Sequence, residues 1–412
     1  MAAPDIEAAF GAALEGLLPV GAGAMGLAVS GGSDSTALMH LAAEWARGQS
    51  VTLHVVTIDH GLRPEAAREA TQVAAQSAGL GLPHQTLRWT GWDGVGNLQD
   101  AARAARYRLL SDWAASLSLP AVALGHTMDD DAETVLMGLS RGAGLDGLSG
   151  MRPSFRRNGV TFMRPLLTTG RSALRNMLKD RTIPWSDDPS NDDRAFQRIR
   201  ARDALAALAP LGIDVGKLSA SAANLRRTRA GLDAVVASFV VEHVRLDRGD
   251  IIIASDGLAA APQEVARRVL NLLLRRVASS DYPPRAPKVM ALINAPVARK
   301  GTTLHGCLIR PEATGLRISR EPEAAARSAP VRPGEIWDGR WRVTGPSADM
   351  LVRATGAEGL SACPDWRQSG LPRASLMAAP AVWDGNTLVA APLARRDDGW
   401  SAVVCDAFNS HG

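Results

Sequence analysis

Glycine, hydroxyl and carboxylate residues stand together near the start of the chain, in the segment Ser30-Gly31-Gly32-Ser33-Asp34-Ser35. Glycines let backbone N–H groups approach a phosphate closely, and a helix N-terminus that follows them adds a favourable dipole. Asp34 has the wrong charge to bind phosphate itself, but its carboxylate suits Mg²⁺, which bridges phosphate oxygens. A flexible Gly/Ser turn has the same composition, so the segment alone leaves both interpretations open.

A second group of chemically capable residues follows further along the chain. Asp130 and Glu133 are three positions apart, which brings both carboxylates to one face at the start of a helix. Arg103 and Arg106 share a helix face in the same way. An acidic first turn that merely complements the helix dipole, and a solvated arginine face, are the alternatives for these two pairs.

These residues need a scaffold, and the hydrophobic pattern from Met25 to about Leu139 supplies one. Short apolar runs alternate with longer amphipathic runs, as in a parallel sheet with crossover helices. Strands are predicted at Gly26–Val29, Val51–Ile58, Gln85–Trp89 and Ala121–Gly125. Helices are predicted at Thr36–Arg47, Pro64–Ala78, Leu98–Leu117 and from about Asp130 onward. The predicted fold class is therefore α/β, a Rossmann-like doubly wound parallel sheet.

In such sheets ligands bind beyond the carboxyl ends of the strands, and the unusual residues follow strands here. The phosphate-type loop comes after Val29, His60 comes just after Ile58, and His126 comes just after Leu124. Either histidine could contact a nucleotide or a base, although loop histidines are often structural. The Walker pattern G-x-x-x-x-G-K-[ST] does not occur, which argues against a kinase or GTPase of that type.

Composition narrows the class of protein. The 412 residues exceed the size of one ordinary domain, so two or three domains are expected. Only four of the 46 basic residues are lysines, and this arginine bias permits a nucleic-acid partner, although a GC-rich genome would also produce it. Three widely spaced cysteines argue against a disulfide framework or a zinc or iron–sulfur site. With no signal peptide or membrane-spanning run in the sequence, a cytoplasmic protein without membrane partners is expected.

Three regions are predicted along the chain: a catalytic domain over residues 1–212, a helical module over 213–297, and a small β-rich domain over 298–412. The helical module is predicted from Lys217–Val244 and Pro262–Val277. Strands follow at Thr302–Ile309, Leu316–Ser319, Trp341–Val343 and Thr387–Ala390, and Glu321–Pro330 is predicted as a loop or linker.

The loop at Ser30–Ser35, between a strand and a helix, resembles the pyrophosphate loop of the N-type ATP pyrophosphatases, the PP-loop superfamily. Further segments, in the same order, resemble the tRNA(Ile)-lysidine synthetase family. They are Asp59-His60-Gly61-Leu62-Arg63, Asn97-Leu98-Gln99, Ala102-Arg103, Arg106-Tyr107, Asp130-Asp131-Ala132-Glu133-Thr134, Arg141–Leu148, Arg164-Pro165-Leu166-Leu167 and Asp188-Pro189-Ser190-Asn191.

The resemblance implies a two-step reaction. ATP adenylates the C2 oxygen of the wobble cytidine in a tRNA(Ile) with a CAU anticodon, and the ε-amine of free L-lysine then displaces AMP to give lysidine. ATP as substrate and Mg²⁺ are the implied cofactors. The sequence leaves the oligomeric state open, a homodimer included.

The resemblance also implies roles for individual residues. Asp34 is expected to hold Mg²⁺, Arg106 to steady phosphate charge, and Asp130 with Glu133 to orient and deprotonate lysine. The residues expected to contact ATP are Ser30, Gly31, Gly32, Ser33, Asp34, Ser35, Ile58, His60 and His126. Those expected to contact the tRNA are Arg103, Gly142, Gly144, Arg194, Arg198, Arg200 and Arg202, and the two C-terminal regions are expected to bind the tRNA body.

The chain departs from the family pattern at a few positions. The family's common His-His before the acidic helix reads His126-Thr127, its usual Gln after the first acid is Asp131, and its frequent Arg-Asn-x-Ile-Arg reads Arg198–Arg202 with other residues between. Related tRNA cytidine thiolases carry cysteine pairs that this chain lacks, and GMP or NAD synthetases would not account for Asp188–Asn191. A tRNA-binding protein without catalytic activity is the alternative from another functional class.

Overall fold

A computed structural model describes residues 5–59, 61, 65–90, 98–187, 197–280, 282–295 and 299–405. The chain divides into two compact units, residues 1–230 and 231–411. Within the described ranges, none of the helices combines the length and apolar character that crossing a bilayer requires.

The first unit is built around one six-stranded sheet. Its strands are β1 (Ala24–Ala28), β2 (Thr52–Asp59), β3 (His84–Arg88), β4 (Ala121–Leu124), β5 (Ser154–Arg157) and β6 (Val160–Met163). Its helices are α1 (Ile6–Leu17), α2 (Ser33–Ala46), α3 (Glu65–Gly79), α4 (Leu98–Ser116), α5 (Met128–Leu139), α6 (Leu145–Leu148), α7 (Arg171–Asp180) and α8 (Gln197–Leu208), followed by α9 (Val215–His243), which continues into the second unit.

The strand order is β3-β2-β1-β4-β6-β5, with every pairing parallel except that between β5 and β6. The order reverses between β1 and β4, so the loops that follow these two strands meet at the switch point where doubly wound sheets bind ligands. Both strands are almost wholly buried, which explains their continuous apolar runs. The predicted fold class is confirmed, and the four predicted strands agree with β1 to β4 to within two residues at each end.

Helices cover both faces of this sheet. One core contains residues of β1 together with α1, α2 and α7, including Phe10, Leu38 and Leu174. The opposite core places Leu110 and Trp113 of α4 against β4 and β6. Sequence analysis did not predict α1, α7 or the β5–β6 hairpin.

The second unit contains three sheets. Its strands are β7 (Val244–Asp247), β8 (Asp250–Ala254), β9 (Thr302–Leu304), β10 (Cys307–Glu312), β11 (Gly315–Arg320), β12 (Ile336–Trp337), β13 (Trp341–Thr344), β14 (Leu351–Ala354), β15 (Pro380–Asp384), β16 (Thr387–Ala390) and β17 (Ser401–Val404). Its helices, after α9, are α10 (Ser255–Ala260), α11 (Gln263–Ala278), α12 (Ala286–Asn294), α13 (Pro322–Ala326), α14 (Gly356–Ser361) and α15 (Arg373–Met377).

The sheet pairing of the second unit crosses residue 297, the predicted boundary between a helical module and a β-rich domain. A five-stranded sheet has the order β7-β8-β11-β10-β9, so strands on both sides of residue 297 form one sheet. The division between the two compact units falls after Ala230, and the three predicted regions stay a prediction. Two predictions of individual elements differ from the structure: a turn at His305-Gly306 splits the single strand predicted at Thr302–Ile309, and α13, with Ala324 and Ala325 buried, lies inside the loop predicted at Glu321–Pro330.

A buried ionic cluster holds the five-stranded sheet together. Arg317 on β11 donates to Asp250 and Asp247 at 2.9 Å each, and it also pairs with Glu312. Ser375 of α15 donates to Asp250 as well. The cluster therefore ties the β7–β8 hairpin to β11, which lies more than sixty residues later in the chain.

We predict that Arg317→Met lowers the free energy of unfolding of the second unit by about 3 kcal/mol, because it leaves buried carboxylates without their partner. Urea unfolding followed by tryptophan fluorescence measures the loss. Arg342→Met, at an exposed position on β13, is the matched control and should change stability by less than about 0.5 kcal/mol. Equal effects of the two substitutions would contradict the role assigned to the cluster.

Candidate active site

The loop between β1 and α2 has the geometry of an anion cradle. Gly31 has φ of +91°, in the left-handed region that favours glycine, and Gly32 is the N-cap residue of α2. The Ser30 backbone N–H donates to Ser35 Oγ at 3.1 Å, and this hydroxyl donates to the Gly32 carbonyl at 3.1 Å, which ties the loop into a tight turn. Among the described residues no side chain caps the first turn of α2, so its N–H groups are available to a phosphate.

Gly125, directly after β4, lets the neighbouring strand approach this loop. A Cβ atom placed on Gly125 would lie 3.0 Å from both the backbone N and the Cα of Ser35, which is closer than side-chain atoms normally come. A side chain at position 125 would therefore push the start of α2 away from the end of β4 by a few tenths of an ångström.

We predict that Gly125→Ala raises the KM for ATP about tenfold, because the added methyl group pushes the loop away from β4. Steady-state kinetics with varied ATP measures the change. Gly16→Ala is the matched control, since that glycine lies on α1 with open space around it and substitution there should leave the KM for ATP unchanged. An unchanged KM in Gly125→Ala would show that the contact with Ser35 does not shape the cradle.

Three carboxylates from two helices, α2 and α5, converge on one guanidinium group. Arg171 begins α7, and its Nε donates to Asp34 Oδ2 at 2.8 Å. Its Nη2 donates to Asp130 Oδ1 at 3.3 Å, and its Nη1 lies 3.6 Å from Glu133 Oε1. The structure thus brings together all three acids that sequence analysis singled out, around an arginine that it did not.

Asp130 is held at the start of α5 by a capping box. Its Oδ2 accepts from the backbone N–H of Thr127 at 2.8 Å and from the Thr127 hydroxyl at 3.0 Å. Burial alone would raise the pKa of Asp130, but Arg171 and the Thr127 N–H outweigh it and lower the pKa. Asp130 is therefore a carboxylate that stays ionised.

Glu133, one turn later on α5, has a different environment. Its side chain is fully buried, and Oε1 accepts from Arg202 Nε at 2.6 Å. Its other oxygen, Oε2, is buried and has no hydrogen-bond partner among the described residues. Burial, together with repulsion from Asp130, raises the pKa of Glu133. A buried acceptor without a donor marks a position where a ligand can donate.

Several arginines and one neutral histidine lie beside the acids. His126 Nδ1 accepts from Arg164 Nε at 3.1 Å, and burial together with Arg164 and Arg106 lowers the pKa of His126 to about 3. The ring is therefore neutral at physiological pH and carries its hydrogen on Nε2. Burial, with repulsion from Arg103 and Arg198, lowers the pKa of Arg106.

Within the described part of the chain, neither Arg106 nor Arg198 forms an ion pair with a carboxylate. Two arginines without carboxylate partners and a neutral imidazole that can donate form a site suited to an anionic ligand.

The remaining residues predicted as site residues lie in several different elements. Arg202, expected to contact the tRNA, contacts Glu133. Ile58 is half-buried at the end of β2. Arg103 is exposed and lies 5.5 Å from the centre of the Tyr107 ring, and Arg200 is exposed on α8. Gly142 and Gly144 lie in an exposed loop after α5. His60, Arg194 and the segment Asp188–Asn191 lie outside the described residues.

Asp131, where the family usually has Gln, proves to be buried and fully partnered. It accepts from Arg226 Nη1 of α9 at 2.9 Å and from the Met151 backbone N–H at 2.6 Å. Arg226 Nη1 also donates to the carbonyl of Ser149 at 3.0 Å. Arg226 of α9 therefore compensates the negative charge of Asp131, and the start of α5 keeps its position.

Sequence analysis assigned no role to Arg171 or Thr127, and Arg164 was noted only within the segment Arg164-Pro165-Leu166-Leu167. A signal for Arg171 existed, because it follows Arg164-Pro165-Leu166-Leu167 after a few residues and opens an amphipathic helix behind Gly170. Its backbone N–H donates to Asp129 Oδ2 at 2.7 Å, which fixes the start of α7 against α5.

The residues present fit Mg²⁺ bound mainly through a nucleotide. Among the described residues no cluster of three or more His, Cys, Asp or Glu side chains could enclose a metal ion. Mg²⁺ commonly binds through one or two carboxylates together with substrate phosphates and water, and the half-buried Asp34 beside the cradle suits that pattern. Burial raises the pKa of Asp34 in spite of Arg171, so a further cation there would be favourable.

Known proteins resemble the chain along most of its length. A family profile described as "PP-loop domain" matches residues 6–209. The tRNA(Ile)-lysidine synthase of Ruegeria pomeroyi is 49% identical over 381 residues, which cover 92% of this chain and 91% of that protein. Those of a Bradyrhizobium species and of Hyphomonas neptunium are each 38% identical, covering 74% and 78% of this chain and 92% and 89% of the respective relatives. The chain therefore belongs to the tRNA(Ile)-lysidine synthase family.

Proposed function

We propose that this chain attaches L-lysine to the wobble cytidine of a tRNA(Ile) with a CAU anticodon and uses ATP to do so. The C2 oxygen of the base attacks the α-phosphorus of ATP, and pyrophosphate leaves. The ε-amine of lysine then attacks C2, a C–N bond forms, and AMP leaves with the former C2 oxygen. The proton lost by the lysine nitrogen passes through a protein carboxylate to solvent.

The observation that carries this proposal is the convergence of Asp34, Asp130 and Glu133 on Arg171, where the loops after β1 and β4 meet. Adenylation requires a phosphate site, and amine attack requires a site for a cation that must lose a proton. A phosphate cradle and a buried acid pair joined by one arginine provide both functions side by side.

The cradle side of the site serves ATP. Backbone N–H groups at the start of α2 bind the pyrophosphate, with the hydroxyls of Ser30, Ser33 and Ser35 beside them. Arg106, with Arg198, stabilises the charge that moves onto the leaving pyrophosphate, and neutral His126 donates from Nε2 to ATP or to the base. Mg²⁺ held by Asp34 would neutralise phosphate charge when bound.

The acid side of the site binds lysine. The pKa of Asp130 is lowered and that of Glu133 is raised, so the two carboxyl groups have different roles. Asp130, with its lowered pKa, stays ionised and holds the ammonium group. Glu133, with its raised pKa and its vacant Oε2, is the better proton acceptor and releases the neutral amine that can attack.

The exposed groups near this site are proposed to bind the tRNA. Arg103 and Arg200 can pair with phosphates or stack on bases, and the loop that contains Gly142 and Gly144 has little side-chain bulk to hinder a nucleotide. Arg194 has the same proposed role, and the second unit is proposed to bind the tRNA body.

Product analysis with an RNA control tests the proposal. We expect the purified protein to convert ATP to AMP and pyrophosphate in the presence of L-lysine and a CAU-anticodon tRNA(Ile) transcript. The same transcript with uridine at the wobble position should not support AMP release. ADP as product, or equal AMP release with the two transcripts, would contradict the proposed chemistry.

A further inference from the structure

Arg171 contacts the two halves of the proposed site with different nitrogens of one group. Its Nε faces Asp34 on the ATP side, whereas its Nη1 and Nη2 face Glu133 and Asp130 on the lysine side. The side chain is 19% exposed, so this planar fork is largely withdrawn from water. An arginine in this position responds to a change of charge on either side.

The occupancy of the carboxylate oxygens shows what lysine would meet. Oδ1 of Asp34 accepts from Ser33, and its Oδ2 accepts from Arg171. Asp130 is likewise divided between Arg171 and Thr127, and Glu133 Oε1 accepts from Arg202. Only Glu133 Oε2 has no donor among the described residues. An ammonium group has three N–H donors, so one vacant oxygen cannot satisfy it.

Charge alone would admit lysine, so the competition for oxygens decides. Three carboxylates face Arg171 and Arg202, which leaves one net negative charge, and a lysine ammonium group would compensate it only while competing with Arg171 for the same oxygens. If Arg171 leaves Asp130 and Glu133, the lysine ammonium group takes its place as the cation beside them. Each oxygen that Arg171 vacates then receives a donor from lysine.

The chain offers Arg171 another anion to bind. Asp34, its partner at 2.8 Å, lies in the first turn of α2 at the phosphate cradle, so a bound pyrophosphate would lie beside the guanidinium group. Arginine pairs strongly with phosphate through two parallel hydrogen bonds. The backbone N–H of Arg171 donates to Asp129 Oδ2 at 2.7 Å, which anchors the start of α7 independently of the side chain.

We infer that Arg171 is a positioning residue that couples the two substrates: bound ATP draws its side chain from Asp130 and Glu133 to the pyrophosphate, and this opens the acid pair to lysine. The inference rests on the proposed function and adds a coupling between its two substrates. Bound ATP raises the affinity for lysine, and bound lysine raises the affinity for ATP by the same factor.

Lysine binding to the full-length protein, measured by calorimetry without tRNA, tests this coupling. The titration is done with and without Mg²⁺ and α,β-methylene-ATP, which binds like ATP but cannot be cleaved at the α–β position. For the unchanged protein we expect the analogue to lower the Kd for lysine by about tenfold.

In Arg171→Gln the coupling should disappear in a characteristic way. Lysine should bind more tightly to the nucleotide-free variant than to the unchanged protein, because its competitor is gone, and the analogue should no longer improve that binding. ATP affinity should fall. A merely structural arginine would show weaker binding of both ligands, and this result would overturn the inference.

Arg175→Gln is the matched control. Arg175 lies one turn further along α7 and donates to Ser33 Oγ at 3.2 Å, and it contacts none of the three acids. Its loss should weaken ATP binding and leave the coupling factor intact. Failure of the unchanged protein to bind lysine in either state, with ATP analogue still bound, would contradict lysine as donor and so the proposed function. Lysine binding that the analogue does not change would overturn the coupling alone.

Discussion

Replacing Asp34 by asparagine is expected to lower the rate of AMP formation by about 1,000-fold. The substitution keeps the size of the side chain and removes the negative charge proposed to hold Mg²⁺ at the pyrophosphate. It also takes an ionic partner from Arg171, whose Nε donates to Asp34 Oδ2 at 2.8 Å. Release of labelled AMP from α-labelled ATP, in the presence of L-lysine and the tRNA transcript, measures the effect.

Binding of tRNA separates this effect from damage to the fold. The Asp34→Asn variant should retain the transcript on a filter as well as the unchanged protein does, because Asp34 lies at the cradle and not among the exposed arginines. An AMP release rate within a factor of about three of the original would remove Asp34 from its proposed role.

Replacing Glu133 by glutamine is expected to separate the two chemical steps. Glutamine fills the same buried space but cannot accept a proton, so attack by lysine should slow by about 100-fold to 1,000-fold. Adenylation depends on the cradle and on Asp34, so it should fall far less. Transfer of the α-label from ATP to the tRNA in the absence of lysine measures the first step, and incorporation of labelled lysine measures both together.

The contrast between the two steps is the critical result for Glu133. If adenylation and lysine incorporation fall equally, Glu133 serves the whole site and not the amine. The Arg202→Gln variant is a useful companion, since Arg202 contacts Glu133 Oε1 and leaves Oε2 untouched. It should impair lysine incorporation less than Glu133→Gln does.

Local sequence patterns sufficed for the central strands of the first unit. The strands β1 and β4 are buried on both faces, so their apolar runs stand out, and each is followed by residues of unusual chemistry. The strands β5 and β6 have only four residues each, and β5 is partly exposed, so the hairpin carries no comparable signal. In the second unit, β8 pairs with β11 across more than fifty intervening residues, and no local pattern encodes a pairing over that distance.

The candidate site shows the same division between local and long-range information. Asp34, Asp130 and Glu133 could be found because each lies at the start of a helix after a strand. Arg171 is 137 residues from Asp34, so their contact depends on how β6 and α7 pack and not on spacing. Arg202 was assigned to tRNA because it lies on an arginine-rich helix, and only tertiary packing shows that it faces Glu133.

Incorporation of labelled L-lysine into RNA tests the central claim most directly. With ATP, Mg²⁺ and a CAU-anticodon tRNA(Ile) transcript, the purified protein should place the label on the wobble cytidine and release one AMP for each lysine attached. Digestion of the RNA to nucleosides, followed by mass spectrometry, locates the modified base. Release of AMP without any label in the RNA, or label at another nucleotide, would contradict the account.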